Sequence, residues 1–257
     1  DLDKTIIAKS STLAFNKPFQ AGGLISRTAM LRSAYAQFMY LVGGADHDQM
    51  EKLREFMSNL CAGWDVATVR EIVADTLHNT VDPLVYDEAV QLIEGHQAAG
   101  RDVIIVSTSG SEVVELIGEM LGADHVVATK MEVADGRYTG EISFYAYAEN
   151  KAKAIRDLAR KRGYDLGNSF AYSDSVTDVS MLESVGHPFA VNPDKDLRKV
   201  AHAREWPILV FDRPVALRGR MAAAAKPTLA ALAVGGALTV GGLLWVNARK
   251  RRLDDSL

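Results

Sequence analysis

A chain of 257 residues, 48% hydrophobic and 24% charged, has the length for one large domain or for a core with an insert, and its composition excludes a disordered chain or a small stapled scaffold. The single cysteine, Cys61, rules out an internal disulfide and a cysteine-based zinc site, and a net charge of −4 leaves no basic footprint for nucleic acid. One stretch departs from this average composition: residues 228–246 carry no charge at all.

From about residue 22 to residue 100 apolar residues recur at helical spacing. They do so over 24–42, again over 50–60, and then through Val69, Ile72, Val73 and Leu77 behind Asp65, a side chain suited to cap a helix. After Gly100 the pattern changes. The run 102–107 (DVIIVS) predicts a short buried strand, 112–121 a helix, 126–129 a second strand, and Asp135-Gly136 and Thr139-Gly140 a pair of turns. A helix over 150–162 follows, then strands at 169–173, 189–192 and 208–211, separated by helices over 176–185 and 194–204. Short apolar strands alternating with helices predict an α/β fold, a parallel sheet covered on both faces.

In an open parallel sheet reactive groups gather just beyond the carboxyl ends of the strands. Four polar clusters fall at or near such places: 1–5 (DLDKT), 107–109 (STS), Lys151, and 174–178 (DSVTD). Asp1 and Asp3 share a face in extended backbone, where one carboxylate can attack while the other moves protons. Asp174 adds a third carboxylate, and clustered hard oxygens suit Mg²⁺ better than zinc. Ser107 offers a hydroxyl and Lys151 a point charge to a phosphoryl group. Lys153 competes with Lys151, which is preferred because it opens the helix. The six histidines show no close ligand spacing.

Taken in order, these clusters resemble the haloacid dehalogenase (HAD) superfamily, and within it subfamily IB, the phosphoserine phosphatase-like branch. DLDKT matches its first motif, DxDx[TV]; VIIVS ends at Ser107; Lys151 opens a helix in ENKAKAI; and YSDSVTD supplies the acidic pair Asp174 and Asp178. The resemblance spans about residues 1–211. It implies a HAD Rossmann-like core (1–20 and 97–212) with a helical cap (21–96) inserted after the first motif; beyond it, composition reads as a basic connector (213–227), a C-terminal transmembrane helix (228–246) and a basic tail (247–257). It also implies a Mg²⁺-dependent phosphoric monoester hydrolase working through an aspartyl phosphate. Asp1 would be the nucleophile and Asp3 the acid and then base. The metal would be held by Asp1, the Asp3 carbonyl and Asp174; Asp178 would orient Lys151; Ser107, Thr108 and Lys151 would bind the phosphate. In this family the nucleophile ends a buried strand, so a strand preceding Asp1 is expected.

Two departures bear on the substrate. The branch places an acidic residue for the substrate ammonium soon after the first motif, yet residues 6–19 contain no Asp or Glu, and Thr108 and Ser109 stand where a glycine pair follows the motif-two serine. The hydrolytic machinery therefore reads as intact and the recognition as altered. Two substrate groups follow: phosphoserine or a similar small phosphorylated metabolite, and a membrane lipid phosphate such as phosphatidylglycerol phosphate. A catalytically silent membrane-tethered scaffold is a third reading. Residues 228–246 comprise thirteen apolar residues, four glycines and two threonines. As a helix they would span about 28 Å, close to the thickness of a bilayer core. Trp245 lies at one end with Arg249, Lys250, Arg251 and Arg252 beyond it, and Ala233, Ala237 and Gly241 are spaced for a helix–helix contact that would make a homodimer. No secretory leader is read at the start of the chain, so a membrane-anchored protein with a cytoplasmic catalytic domain is expected. Arg27, Arg32 and Arg54 in the cap read as helical surface charge, with a substrate anion as their alternative partner.

Overall fold

The computed structural model describes residues 1–26, 55 and 58–217. Asp1–Val215 form one compact unit, and a second begins at Ala216. The helical segments expected over 24–42 and 50–60, the three cap arginines, and residues 228–246 lie wholly or largely outside the described residues. Among the described residues no helix is long and apolar enough to cross a membrane.

Short helices α1 (Ser11–Ala14) and α2 (Asn16–Ala21) follow the first polar cluster. Helix α3 (Val66–Thr80) begins where the Asp65 carboxylate accepts from the Thr68 N–H at 2.8 Å and hydroxyl at 2.9 Å, as the sequence predicts, and buries Val69, Val73 and Leu77 at helical spacing. Helix α4 (Asp87–Ala98) was assigned to the cap from the sequence, yet its Ala89 packs with Val191 and Phe211 of the sheet region, and its His96 bonds the Tyr172 hydroxyl at 2.9 Å. By these contacts α4 rests on the core.

The sheet region contains β1 (Ile104–Gly110), α5 (Ser111–Leu121), β2 (His125–Ala134), β3 (Arg137–Phe144), α6 (Glu149–Arg162), β4 (Phe170–Ser173), α7 (Val179–Leu182), β5 (His187–Val191), α8 (Lys195–Ala203) and β6 (Ile208–Leu209). Its described strands form two three-stranded sheets, β1-β2-β3 and β4-β5-β6. All pairings are parallel except β2 with β3. Fully buried Leu2, Ile105, Ile117, Leu182 and Leu197 fill the interior, each contributing roughly 1.5–3 kcal/mol.

Two elements differ from the sequence reading. Asp135-Gly136 closes a two-residue hairpin in which both residues have positive φ (50° and 75°), so β2 runs on past Thr129 and Thr139-Gly140 lies within a strand. The helix expected over 176–185 is a 3₁₀ turn (Val176–Asp178) followed by the four residues of α7. The hairpin holds the segment before α3: Gly63 N–H donates to the Tyr138 carbonyl at 2.8 Å, and Tyr138 N–H donates to the Trp64 carbonyl at 3.0 Å. At Gly186 the backbone passes so close to Gly167 that a Cβ would lie 1.8 Å from its carbonyl oxygen.

Candidate active site

The first five residues make a tight turn. Ile6 and Ile7 N–H both donate to the Leu2 carbonyl, at 2.9 and 3.1 Å, and Lys4 turns the corner at φ 59°, a left-handed conformation uncommon for a side-chain-bearing residue. With Leu2 fully buried beneath them, Asp1 and Asp3 are presented to one cavity. Asp1 N–H donates to the Tyr172 carbonyl of β4 at 2.8 Å.

Lys151 is the electrostatic centre. Its ammonium lies 2.9 Å from Asp1 Oδ1 and 2.9 Å from Asp178 Oδ2, and the lysine is 3% exposed. Lys153, its competitor in the sequence, is exposed. The helix that carries Lys151 begins after Ala148, held at φ 47°, ψ −122°. Asp178 is buried and accepts a 2.7 Å bond from the Ser173 hydroxyl through Oδ2, while its Oδ1 has no hydrogen-bond partner among the described residues. A buried carboxylate held this way costs several kcal/mol if its cation is removed.

Asp3 is held from the other side. The Ser107 and Ser109 hydroxyls donate to its Oδ2 at 3.3 and 3.0 Å, and the Ser11 N–H donates to Oδ1. Ser109 in turn shares a 2.8 Å bond with the Ser11 hydroxyl and a 3.3 Å bond with that of Thr12. The serine standing in for a glycine therefore touches the segment that lacks an acidic residue, so the two departures from the family pattern meet in space. Ser107, fully buried, also accepts the Ser109 N–H at 3.1 Å. Thr108, read from the sequence as a phosphate ligand, instead donates its hydroxyl to the Ala146 carbonyl at 2.9 Å, although it still lines the cavity.

Asp174 follows β4 and lines the same cavity as Asp1, Asp3, Lys151 and Asp178. Burial pushes its carboxyl up to about 6, the charge of nearby Lys4 opposing the rise. Among the described residues no group of three His, Cys, Asp or Glu side chains suits a metal ion. Two carboxylates and a main-chain carbonyl do fit a hard divalent cation that keeps several waters, and the uncompensated burial of Asp174 is the kind of electrostatic debt such a cation relieves. Sequence reasoning missed Asp194. Its carboxylate accepts from Val176 N–H at 2.9 Å and Leu197 N–H at 2.7 Å, and its own N–H donates to the Asp174 carbonyl at 2.8 Å, so one capping residue fixes both α8 and the Asp174 loop. An aspartate just before a helical run was the available signal.

Beyond these groups the cavity, about 430 Å³, has walls that include Phe19, Trp64, Tyr138 and Ile142. Burial raises the Tyr138 phenol above its ordinary value and pushes the Cys61 thiol up to about 12, so both stay protonated at neutral pH.

Comparison with known proteins agrees with this geometry. Residues 1–183 match the haloacid dehalogenase-like hydrolase family. A protein of Streptomyces azureus named for inhibition of morphological differentiation is 61% identical, over 98% of this chain and 92% of its own length. A probable phosphatase of Mycobacterium tuberculosis is 56% identical, over 97% of this chain and 88% of its own. A phosphoserine phosphatase of the same species is 30% identical, over 98% and 80%. Among solved structures, a Bordetella pertussis protein of unknown function superposes with a TM-score of 0.71 at 31% identity, over 81% of this chain and 95% of that one. A phosphoserine phosphatase in a phospho-aspartyl analogue state shares the fold, with a TM-score of 0.59 at 20% identity, over 86% and 94%. The chain belongs to the haloacid dehalogenase-like hydrolases, with the α/β Rossmann-like fold of that family.

Proposed function

We propose that this protein hydrolyses a small phosphomonoester through an aspartyl phosphate formed on Asp1, with Mg²⁺ as its metal. The broad activity, phosphoric monoester hydrolysis, rests on family membership and on relatives named as phosphatases. The observation that carries the finer reading is the Lys151 ammonium at 2.9 Å from Asp1, with Asp3 and Asp174 on the same cavity.

In this reading an Asp1 carboxylate oxygen bonds to phosphorus as the bond to the leaving oxygen breaks, and Asp3 supplies the proton that the leaving alkoxide takes. Asp3 then removes a proton from water, whose oxygen attacks the phosphorus and releases phosphate and the Asp1 carboxylate. Lys151 offsets the repulsion between carboxylate and phosphate dianion, Asp178 orients Lys151, and Ser107 holds Asp3 or a phosphate oxygen. Mg²⁺ held by Asp1, the Asp3 carbonyl and Asp174 would supply Lewis-acid charge to the phosphoryl group. The test is phosphate release from p-nitrophenyl phosphate with Mg²⁺. Turnover lost in Asp1→Asn and in chelator is expected. Wild-type turnover no higher than that of Asp1→Asn would favour the silent scaffold instead.

The apolar walls of the cavity support a second reading, a membrane lipid phosphate, which a substrate panel in detergent separates from phosphoserine and other soluble esters. We also propose that residues 228–246 anchor the protein to the membrane with its catalytic part in the cytoplasm, and that they pair two copies; composition alone supports this. Deleting 221–257 should move the protein to the soluble fraction and leave turnover of small esters in place. An unchanged distribution would count against the anchor.

A further inference from the structure

Between β3 and α6 the residues 145–148 (YAYA) bring two tyrosines to the cavity that holds Asp1, Lys151 and Asp178. Ala146, fully buried, is held from two sides: its N–H donates to the Thr129 hydroxyl at 3.2 Å, and its carbonyl accepts from the Thr108 hydroxyl at 2.9 Å. The threonine that replaces a motif-two glycine therefore builds this loop. Asn150 braces it against the start of α6, donating its N–H to the Tyr147 carbonyl and its side-chain amide to the Tyr145 carbonyl, both at 3.0 Å. Ala148 then sits at φ 47°, a strained conformation that persists where the surroundings over-determine it.

The rings of Tyr145 and Tyr147 stack on each other, with centroids 5.4 Å apart and planes 19° from parallel. Both residues are half-buried. Tyr147 stands four residues before Lys151. Burial raises its phenol, with the charge of Asp178 adding to the rise and that of Lys151 opposing it, so it is neutral at neutral pH and within the field of the reacting groups. A ring braced through one face by a second ring is already ordered, and a ligand that stacks on it has little further entropy to remove. Phe19, Trp64 and Tyr138 line the same cavity, so five aromatic residues gather there in a chain that is only 7% aromatic. Such a wall suits a flat partner better than a merely apolar one. We infer that Tyr147, backed by Tyr145, is a stacking platform for the leaving alcohol, so that the substrate is the phosphomonoester of an alcohol carrying a flat unsaturated ring close to the ester oxygen. This rests on the phosphatase reading above and adds to it the shape of the leaving group.

A stacked pair of tyrosines also supports the loop that precedes Lys151, so the experiment separates recognition from support. 2-Phenylethyl phosphate and 2-cyclohexylethyl phosphate share a spacer and have closely similar leaving oxygens, but only the first has a π face. The saturated ring is at least as apolar, so burial alone gives the flat one no advantage. With Mg²⁺, the wild-type protein is expected to favour the phenyl ester in kcat/KM by about threefold to tenfold, the size of an aromatic contact beyond its buried area. Tyr147→Phe should keep that ratio, and Tyr147→Leu should bring it to one or below. Thermal denaturation of each variant reports any effect on the loop, and the wild-type ratio is a test that needs no variant. A wild-type ratio of one or below, or turnover of p-nitrophenyl phosphate but of neither ester, would overturn the assignment while leaving the phosphatase reading standing. So would a ratio that survives Tyr147→Leu, or one lost equally in Tyr147→Phe. Hydrolysis of none of the three esters would overturn both.

Discussion

Asp174→Asn separates what the site costs from what it does. Burial raises the Asp174 carboxyl from its ordinary 3.8 to about 6, which corresponds to about 3 kcal/mol of native-state penalty for the charged form above pH 6, at 1.36 kcal/mol for each tenfold change in proton affinity. The sign follows from proton counting. Between pH 3.8 and 6 the folded protein holds the proton that the unfolded chain has released, so this group's stabilisation is full below pH 3.8 and is lost as pH rises through 6. Asparagine keeps the shape and removes the charge, but its amide must still be buried, so a net gain of about 2 kcal/mol at pH 7.5 is expected in metal-free protein. For a unit of this size that is about 4–8 °C in Tm. The assay is thermal denaturation followed by circular dichroism in chelator, at pH 4 and at pH 7.5, repeated with Mg²⁺. Asp174→Asn should melt higher than wild type only at the higher pH and only without metal, should lose the upward shift that Mg²⁺ gives wild type, and should be inactive. A variant that melts lower than wild type in chelator at pH 7.5 would refute the reasoning.

Three further substitutions probe the surroundings. Lys151→Met leaves Asp178 and Asp1 without their cation and should cost about 3–5 kcal/mol at neutral pH in urea denaturation, with part recovered in the Lys151→Met/Asp178→Asn double variant; a loss below about 1 kcal/mol would show that the lysine is not a buried counter-charge. Ala148→Gly relieves a backbone at φ 47° and should stabilise by about 1 kcal/mol, and a lower urea midpoint would argue against strain there. Gly186→Ala drives a methyl into the Gly167 carbonyl and should cost about 2–3 kcal/mol; a change within 0.5 kcal/mol, roughly the range of neutral surface substitutions, would mean the two segments part easily.

The convergence of these residues on one cavity was legible in the sequence because each part is local. Asp1 with Asp3, Ser107 at a strand end, Lys151 at a helix start and Asp174 before a turn are short patterns, each tied to one element, and the alternation of strands with helices places them at one edge. The cavity wall was not legible. Phe19, Trp64, Glu112 and Tyr138 come from four segments brought together by the β2–β3 hairpin, and that hairpin was hidden because its Asp-Gly turn was read without the strands on either side. The direction of the Thr108 hydroxyl was likewise beyond the sequence, since it depends on the Ala146 carbonyl reaching it from a distant loop. Helix α4 carries an amphipathic pattern that fits a cap or a core equally well, and only its contact with Val191 and Phe211 decides between them.

The turn at residues 1–5 works as a stitch between two fabrics. Asp3 is tied to β1 through Ser107 and Ser109, while Asp1 is tied to β4 through the Tyr172 carbonyl and to α6 through Lys151, so one short turn joins the two carboxylates to strands of both sheets. A shift of β1 relative to β4 by a single ångström would pull the two carboxylates out of step, and misplacement on that scale can cost about a hundredfold in rate where both act in one reaction. Turnover then reports on that turn more finely than the fold does: on mild heating or in mild denaturant it should fall before the circular dichroism changes.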